Sequence, residues 1–333
     1  MTRRPRIDPV VWRPPAAPAR ARQRSSDPPM PAPAVLPVDA VGPEDVAVHP
    51  DGRLYTGVED GRILRLSVSG GPVAVVAETG GRPLGVEVTL DGDLVVSDAY
   101  RGLLRIDPGS GAVEVLASGF RLCDNAAVAR DGTIYFSDSS QRHGLDHWRA
   151  DILEHTGTGR LLRRDASGAV SVVLSGLQFA NGVALAADES FVAVAETGAY
   201  RVSRVWLSGP SAGKHDVLVD NLPGFPDNLS TGSDGRIWIA LATPRNPALD
   251  RLHRRSPVLR RAVWALPTAL QPAPARTTWV IAVDPTGTVV ADLQTDAGDF
   301  HMVTGVREHA GSLYLGSLAE TGVAVVPLAS PAR

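Results

Sequence analysis

Glu44-Asp45, Asp124-Asn125, Asn181-Gly182 and Asp227-Asn228 occupy one register of a repeating phrase, in which a doublet precedes a short apolar strand and the strand runs into a hairpin turn. The phrase occurs six times; its other two occurrences begin Leu84-Gly85 and Val303-Thr304. Seven residues after the first member stands a turn residue, namely Asp51, Asp91, Asp131, Asp188, Asp234 and, in the last repeat, Ala310. Equal register means equal place in the fold. If the units form a ring, four oxygen-bearing positions converge on its axis.

Carboxylates crowded in a poorly solvated channel must be protonated or neutralised by a cation. No lysine or arginine shares their register, so a bound metal ion is the expected counter-charge. An all-oxygen set suits a hard cation, and a set of this size favours calcium over magnesium, with manganese as a further option. The candidate ligands are Glu44, Asp124, Asn125, Asn181, Asp227 and Asn228. The competing account is that Asp and Asn begin strands because they bond nearby backbone N–H groups. It suffices for any one position, whereas four at one register favour the metal. Asp51, Asp91, Asp131 and Asp234 belong to Asp-Gly turns and are assigned to structure.

The elements that position these residues follow from the same repeat. Val46 to His49, the turn at Asp51-Gly52 and Arg53 to Gly57 read as a hairpin, and Arg62 to Val68 as a third strand. Repeat starts lie 40, 40, 57, 46 and 76 residues apart. A recurring unit of three or four strands at this spacing indicates propeller blades. The expected fold is all-β, a six-bladed β-propeller with a short helical insertion. The two long intervals hold insertions. Ser139 to Thr158 carries His143, His147, Trp148 and His155 above one face of the ring. The second, about Asn246 to Thr277, contains Ser256-Pro257 and then Leu259, Val263 and Leu266 at helical spacing, read as an amphipathic helix with those residues on its apolar face. Residues 1–36, with nine prolines among seven arginines, read as an arm that lies on the body or stays disordered. Residues 37–333 form the propeller, closed where Val35 to Val38 joins the strand Gly322 to Leu328.

Bulk composition bounds the chemistry. A chain of 333 residues, 44% hydrophobic, with net charge -3 has no bulk drive toward nucleic acid or anionic membrane. No stretch is long and apolar enough for a membrane span. Lys214 is the only lysine and falls in a polar loop, which argues against Schiff-base chemistry. The single cysteine, Cys123, reads as a small core residue. One cysteine and no apolar run after Arg3, Arg4 and Arg6 lead us to expect a cytoplasmic protein.

The stretches Ile134-Tyr-Phe-Ser-Asp-Ser-Ser140, Thr158-Gly-Arg-Leu-Leu162, Phe179-Ala-Asn-Gly-Val183, Ala195-Glu-Thr197 and Phe225-Pro-Asp-Asn228 through Ala242-Thr-Pro-Arg-Asn246 resemble the strictosidine synthase-like family, which includes the adipocyte plasma membrane-associated proteins. More distantly the chain is similar to the gluconolactonase/regucalcin and paraoxonase propellers. The resemblance spans residues 41–328 and implies an active site at the channel mouth, with a calcium or related cation held by Glu44, Asn181 and Asp227, and by Asn228 in the paraoxonase manner. The third repeat reads Asp124-Asn125 where those relatives read Asn-Asp, so both residues stay candidates. Leu84 stands where paraoxonases place a catalytic histidine, so their dyad does not carry over, and Thr304 stands where strictosidine synthase places its glutamate, which disfavours the alkaloid-forming condensation.

The resulting expectation is a metal-dependent hydrolase of a small lactone or carboxylic ester, the cation acting as Lewis acid on the carbonyl. The resemblance makes Asp227 the first choice for the catalytic base; His143, His147, His155, His301 and His309 are alternatives. Trp148, Phe300 and His301 are expected on the substrate wall. A metal-stabilised binding propeller without turnover and a strictosidine synthase-like lyase are the competing functions.

Overall fold

In a computed structural model describing residues 4–49, 51–267, 275–296 and 298–328, twenty-four strands form six four-stranded antiparallel sheets. Within each sheet the strands meander from the axis outward. The innermost strands are β2 (Ala47–Val48), β6 (Pro83–Val88), β10 (Cys123–Val128), β14 (Ala180–Leu185), β18 (Gly224–Thr231) and β22 (Val303–His309). Each packs on the next, and β22 returns to β2, so the six blades form a closed ring. Closure is covalently out of order: β1 (Ala34–Pro37) is the outer strand of the sixth blade, with Ala34 opposite Val325 on β24 (Gly322–Pro327). This is the closure expected at Val35 to Val38, and it brings residues 34–36 of the N-terminal segment into the sixth blade. Blade faces are packed by aliphatic side chains such as Val194, Ile239 and Ile281, which is the burial that holds neighbouring sheets together.

The turn aspartates do what their register implied. Asp51, Asp131, Asp188 and Asp234 each accept a hydrogen bond from the backbone N–H two residues on, at 2.9–3.1 Å. The sixth repeat departs from this pattern. Its hairpin is a two-residue loop, Ala310-Gly311, with φ of 48° and 76°, the conformation of a type I′ turn. Counting back from so short a turn misplaces the doublet by one residue. The sixth doublet is Thr304-Gly305 and not Val303-Thr304, because Gly305 packs on Asp45 as Gly85 packs on Asn125 and Gly182 on Asn228. A Cβ at any of the three glycines would lie 2.3–2.7 Å from the neighbouring chain.

Three helices and the N-terminal arm cover one mouth of the ring. The first insertion forms α1 (Trp148–Glu154), and the second forms α2 (Pro247–His253), capped by Asn246, and α3 (Pro257–Ala265). The expected apolar face of α3 is corrected here: Leu259 and Leu266 are exposed, Val263 is half-buried, and the buried residues are Arg260 and Trp264. The arm explains the inversion. Ile7 packs against Ala150, Leu153 and Trp264, while the Arg260 guanidinium donates to the carbonyls of Leu153 and Val10 at 2.9 and 2.5 Å. Among the described residues no helix is long and apolar enough to cross a membrane.

Trp12 of the arm stacks on His155 with ring centroids 3.9 Å apart, and His253 lies 5.3 Å from the same ring. Burial lowers the His155 pKa to about 3 and that of His253 to about 4. An unfolded histidine titrates near 6.5, so the stability contributed by keeping both neutral is complete above that pH and is lost as the pH falls toward 4. We expect the melting temperature to drop across that window and His155→Phe to flatten part of the drop. Parallel profiles for the two proteins would refute this role for the His155 ring.

Candidate metal and substrate site

The doublets owe their orientation to β-bulges. The pairing register slips between Cys123 and Ala126, between Ala180 and Val183, and between Pro226 and Leu229, so Asp124-Asn125, Asn181-Gly182 and Asp227-Asn228 fall outside the ladder. In this bulged stretch the two members of a doublet take separate tasks. The first members Glu44, Leu84, Asp124, Asn181 and Asp227 all line one cavity of about 460 Å³ beneath the helices.

The second members tie blades together. Asp45 accepts from Val86 N at 3.1 Å and from the Asn125 side-chain amide at 3.0 Å, and Asn125 Oδ1 accepts from Val183 N at 2.9 Å. One bridge thus runs across the first four blades, and Asn125 spends both ends of its amide on it. Asn125 lies outside the cavity lining, which leaves Asp124 as the third blade's residue facing the site. Asn125→Ala would orphan Val183 N–H and a hydrogen-bonding position of Asp45. At about 1–3 kcal/mol for each buried unsatisfied group, a loss of about 2–4 kcal/mol is expected by chemical denaturation, with cation affinity unchanged. A loss of cation affinity in the refolded variant would return Asn125 to the ligand set. Asn228 is buried, and neither its Oδ1 nor its Nδ2 has a hydrogen-bond partner.

The floor of the cavity is acidic and buried. Glu44, Asp124 and Asn181 are 3–4% exposed and Asp227 is 8% exposed. Burial and then the charge of Asp124 raise the Glu44 and Asp227 carboxyls well above their ordinary range, and burial pushes Asp124 to about 7. Two contacts oppose this: Ser139 Oγ donates to Asp124 at 2.5 Å, and an Asn181 hydrogen bond lowers Asp227. Arg82, donating to the Gly42 carbonyl at 3.0 Å, is the positive charge that favours ionised Glu44. It precedes the second doublet as Arg82-Pro83-Leu84, outside the register searched in the sequence.

Glu44 Oε2 and Asn181 Oδ1 are buried oxygens without a hydrogen-bond partner. Such atoms are costly unless something satisfies them, and both belong to residues lining the cavity. The donor chemistry fits a hard cation held by two carboxylates and an amide, Glu44, Asp227 and Asn181, with Asp124 beside them. Among the described residues no three His, Cys, Asp or Glu side chains gather into a metal-holding group, so Glu44, Asp124 and Asp227 do not by themselves form a carboxylate site.

The cavity wall is apolar and includes Trp148, as expected, together with Phe179, Phe225 and Met302, which the sequence reading did not single out. Phe300 instead lies in the core with Trp238 and Val303. His301 pairs with Glu320 and Arg276 beside the wall residue Met302, without lining the cavity itself. His143 pairs with Glu154 at 2.9 Å, and His147 meets the Trp264 ring edge-on at 6.2 Å. Burial raises the Cys123 thiol pKa, consistent with a core residue. Thr304 Oγ1 donates to the Glu44 carbonyl at 2.7 Å, so it positions the floor and stays out of the lining.

Comparison with known proteins gives concordant results. A family model described as strictosidine synthase matches residues 124–210, and one described as strictosidine synthase-like, N-terminal, matches residues 34–66. The adipocyte plasma membrane-associated protein of Rattus norvegicus is 36% identical over 306 residues, covering 83% of this chain and 80% of the relative. Protein strictosidine synthase-like 6 of Arabidopsis thaliana is 36% identical over 288 residues, covering 83% and 76%. Among solved structures, a gluconolactonase from Xanthomonas campestris superposes with a TM-score of 0.65 at 16% identity, covering 98% of this chain and 97% of the other. The calcium-binding protein regucalcin from Agrobacterium tumefaciens superposes with a TM-score of 0.63 at 15% identity, covering 90% and 94%. At such identities the likeness speaks for the fold alone.

Proposed function

Because this chain belongs to the strictosidine synthase-like family of six-bladed propellers, we propose that its acid-floored cavity hydrolyses a small lactone or carboxylic ester with the help of one divalent cation, calcium first, magnesium or manganese otherwise. The observation that carries the reading is the pair of unpartnered buried oxygens, Glu44 Oε2 and Asn181 Oδ1, among residues whose carboxyls are raised by burial and mutual repulsion. When bound, a divalent cation supplies Lewis acidity toward a carbonyl oxygen and neutralises these carboxylates.

The residues of the chain do the rest. Glu44, Asn181 and Asp227 would hold the cation. Asp227 would accept the proton of the attacking water. Ser139 fixes the Asp124 carboxylate, and the aliphatic and aromatic walls exclude bulk water and grip the apolar part of the substrate. Leu84 is a wall residue and Thr304 is engaged with Glu44, so no histidine dyad and no final-repeat glutamate take part. The partner is a small molecule, with no nucleic acid, and the compartment proposed is the cytoplasm. The gluconolactonase named above supports the reaction class as a relative in fold only.

A second reading, a cation-fastened binding propeller without turnover, draws on the same two positions, since Leu84 and Thr304 offer no further acid or base. A panel of lactones and aryl esters separates the two. Hydrolysis that chelator abolishes and calcium restores supports the enzyme. Cation-loaded protein inert on the whole panel supports the platform.

A further inference from the structure

The chemistry of the wall defines the ligand more narrowly than the floor does. Most polar side chains around the cavity are already occupied. Arg245 donates to Asn221 Oδ1 at 2.6 Å, to the Pro15 carbonyl at 2.7 Å and to Asp250 at 3.0 Å. Asn246 Oδ1 accepts from Ala248 N and Leu249 N, and Thr197 donates to the Pro226 carbonyl. Among the described residues of the wall, the Thr243 hydroxyl, the Trp148 indole N–H and Arg149 on α1 remain, and of these Arg149 alone carries charge. Its guanidinium lies 5.2 Å from the Trp148 ring centroid, and it makes no hydrogen bond or ion pair with any described residue.

We propose that the cavity binds amphipathic anions, molecules with an apolar body and one carboxylate or comparable anionic group, and that Arg149 captures the anionic end. This deepens the hydrolase reading of the same cavity and rests on it only for the fate of the ligand. A polyhydroxylated ligand would bury hydroxyls against Leu84, Leu122, Ile152, Phe179, Phe225 or Met302 without a partner there, which is unfavourable. An alkyl or aryl body matches that wall. A volume of about 460 Å³ is within the range of cavities that enclose small ligands. The floor offers carboxylates and one amide but no cationic side chain, so an anion is best placed against Arg149, the wall cation that no described residue holds in a hydrogen bond or ion pair. The flat Trp148 ring under Arg149 leaves its planar N–H fork free for a carboxylate.

The test uses the full chain and measures binding by calorimetry, with decanoate and the neutral isostere decanamide as probes. Wild-type protein should bind both, and Arg149→Gln should weaken decanoate at least 10-fold while leaving decanamide within 2-fold. Arg149→Lys should recover part of the loss. Equal decanoate affinity in wild type and Arg149→Gln, or absence of decanoate binding, overturns the proposal. So does decanoate binding that disappears with chelator yet ignores Arg149, because the carboxylate would then sit on the floor cation. Hydrolysis gives an independent arm. For a 4-nitrophenyl ester bearing a terminal carboxylate, Arg149→Gln should raise KM about 10-fold with kcat within 2-fold, and for the neutral ester of equal length it should change neither. Arg149-dependent binding with no ester turnover sinks the hydrolase reading and leaves this one standing. Turnover indifferent to Arg149 does the reverse.

Discussion

Asp227→Asn should lower kcat/KM for the best ester or lactone by about 10²–10⁴-fold, the usual worth of a positioned general base, while the protein still binds its cation. The amide oxygen can remain a ligand, but it cannot take a proton from water. The companion Asp124→Asn should cost much less, because Asp124 is held by Ser139 and in the proposed site stands beside the ligand set without accepting the proton. Stability makes the experiment decisive. Asp227 is a carboxylate whose charge is opposed by burial and by Asp124, so its neutral isostere should leave the cation-free protein at least as stable as wild type. A folded, cation-bound Asp227→Asn protein with undiminished turnover would remove Asp227 from the role of base.

Chelator should lower the melting temperature of the cation-loaded protein, and Asn181→Ala or Glu44→Ala should abolish most of the difference. A ligand present at about 100 times its Kd stabilises by about 2.7 kcal/mol. With an unfolding entropy of about 2.1 cal/mol/K per residue, this corresponds to about 4 °C for a chain of this length. Each substitution removes one of the unpartnered oxygens of the cavity lining, Asn181 Oδ1 or Glu44 Oε2. Should the melting temperature ignore calcium and chelator alike, the oxygen ring is a set of buried acids kept protonated by burial, and the metal reading fails.

The blade count was legible because hairpin turns are local. Asp-Gly and its carboxylate leave a signature at fixed spacing whatever the tertiary context, so five doublets were placed correctly by counting back from the turn. The sixth slipped by one residue because Ala310-Gly311 closes its hairpin with a shorter loop. The convergence of Glu44, Asp124, Asn181 and Asp227 on one cavity was also legible, since equal register fixes equal position in a ring. The division of labour within each doublet was not. It depends on bulges and on what the next blade presents, as when Gly85 makes room for Asn125. Tertiary contacts likewise decided α3, whose buried face is set by an arm some 250 residues away in sequence, as in the bond from Arg260 to the Val10 carbonyl. Arg82 escaped notice because its charge acts on Glu44 from an adjacent blade.

The strand β1 gives this architecture a kinetic character as well as a shape. Ala34 pairs with Val325, so the first strand cannot find its place until the last blade exists. Contacts of such sequence separation make folding slow, since loop-closure entropy is spent before the pairing is gained. The floor residues share that fate: Glu44 and Asp227 meet only once the circle is complete. A ligand that spans them would act as a clasp on the whole chain, and its release would be felt at the β1–β24 seam, far from the cavity it occupied.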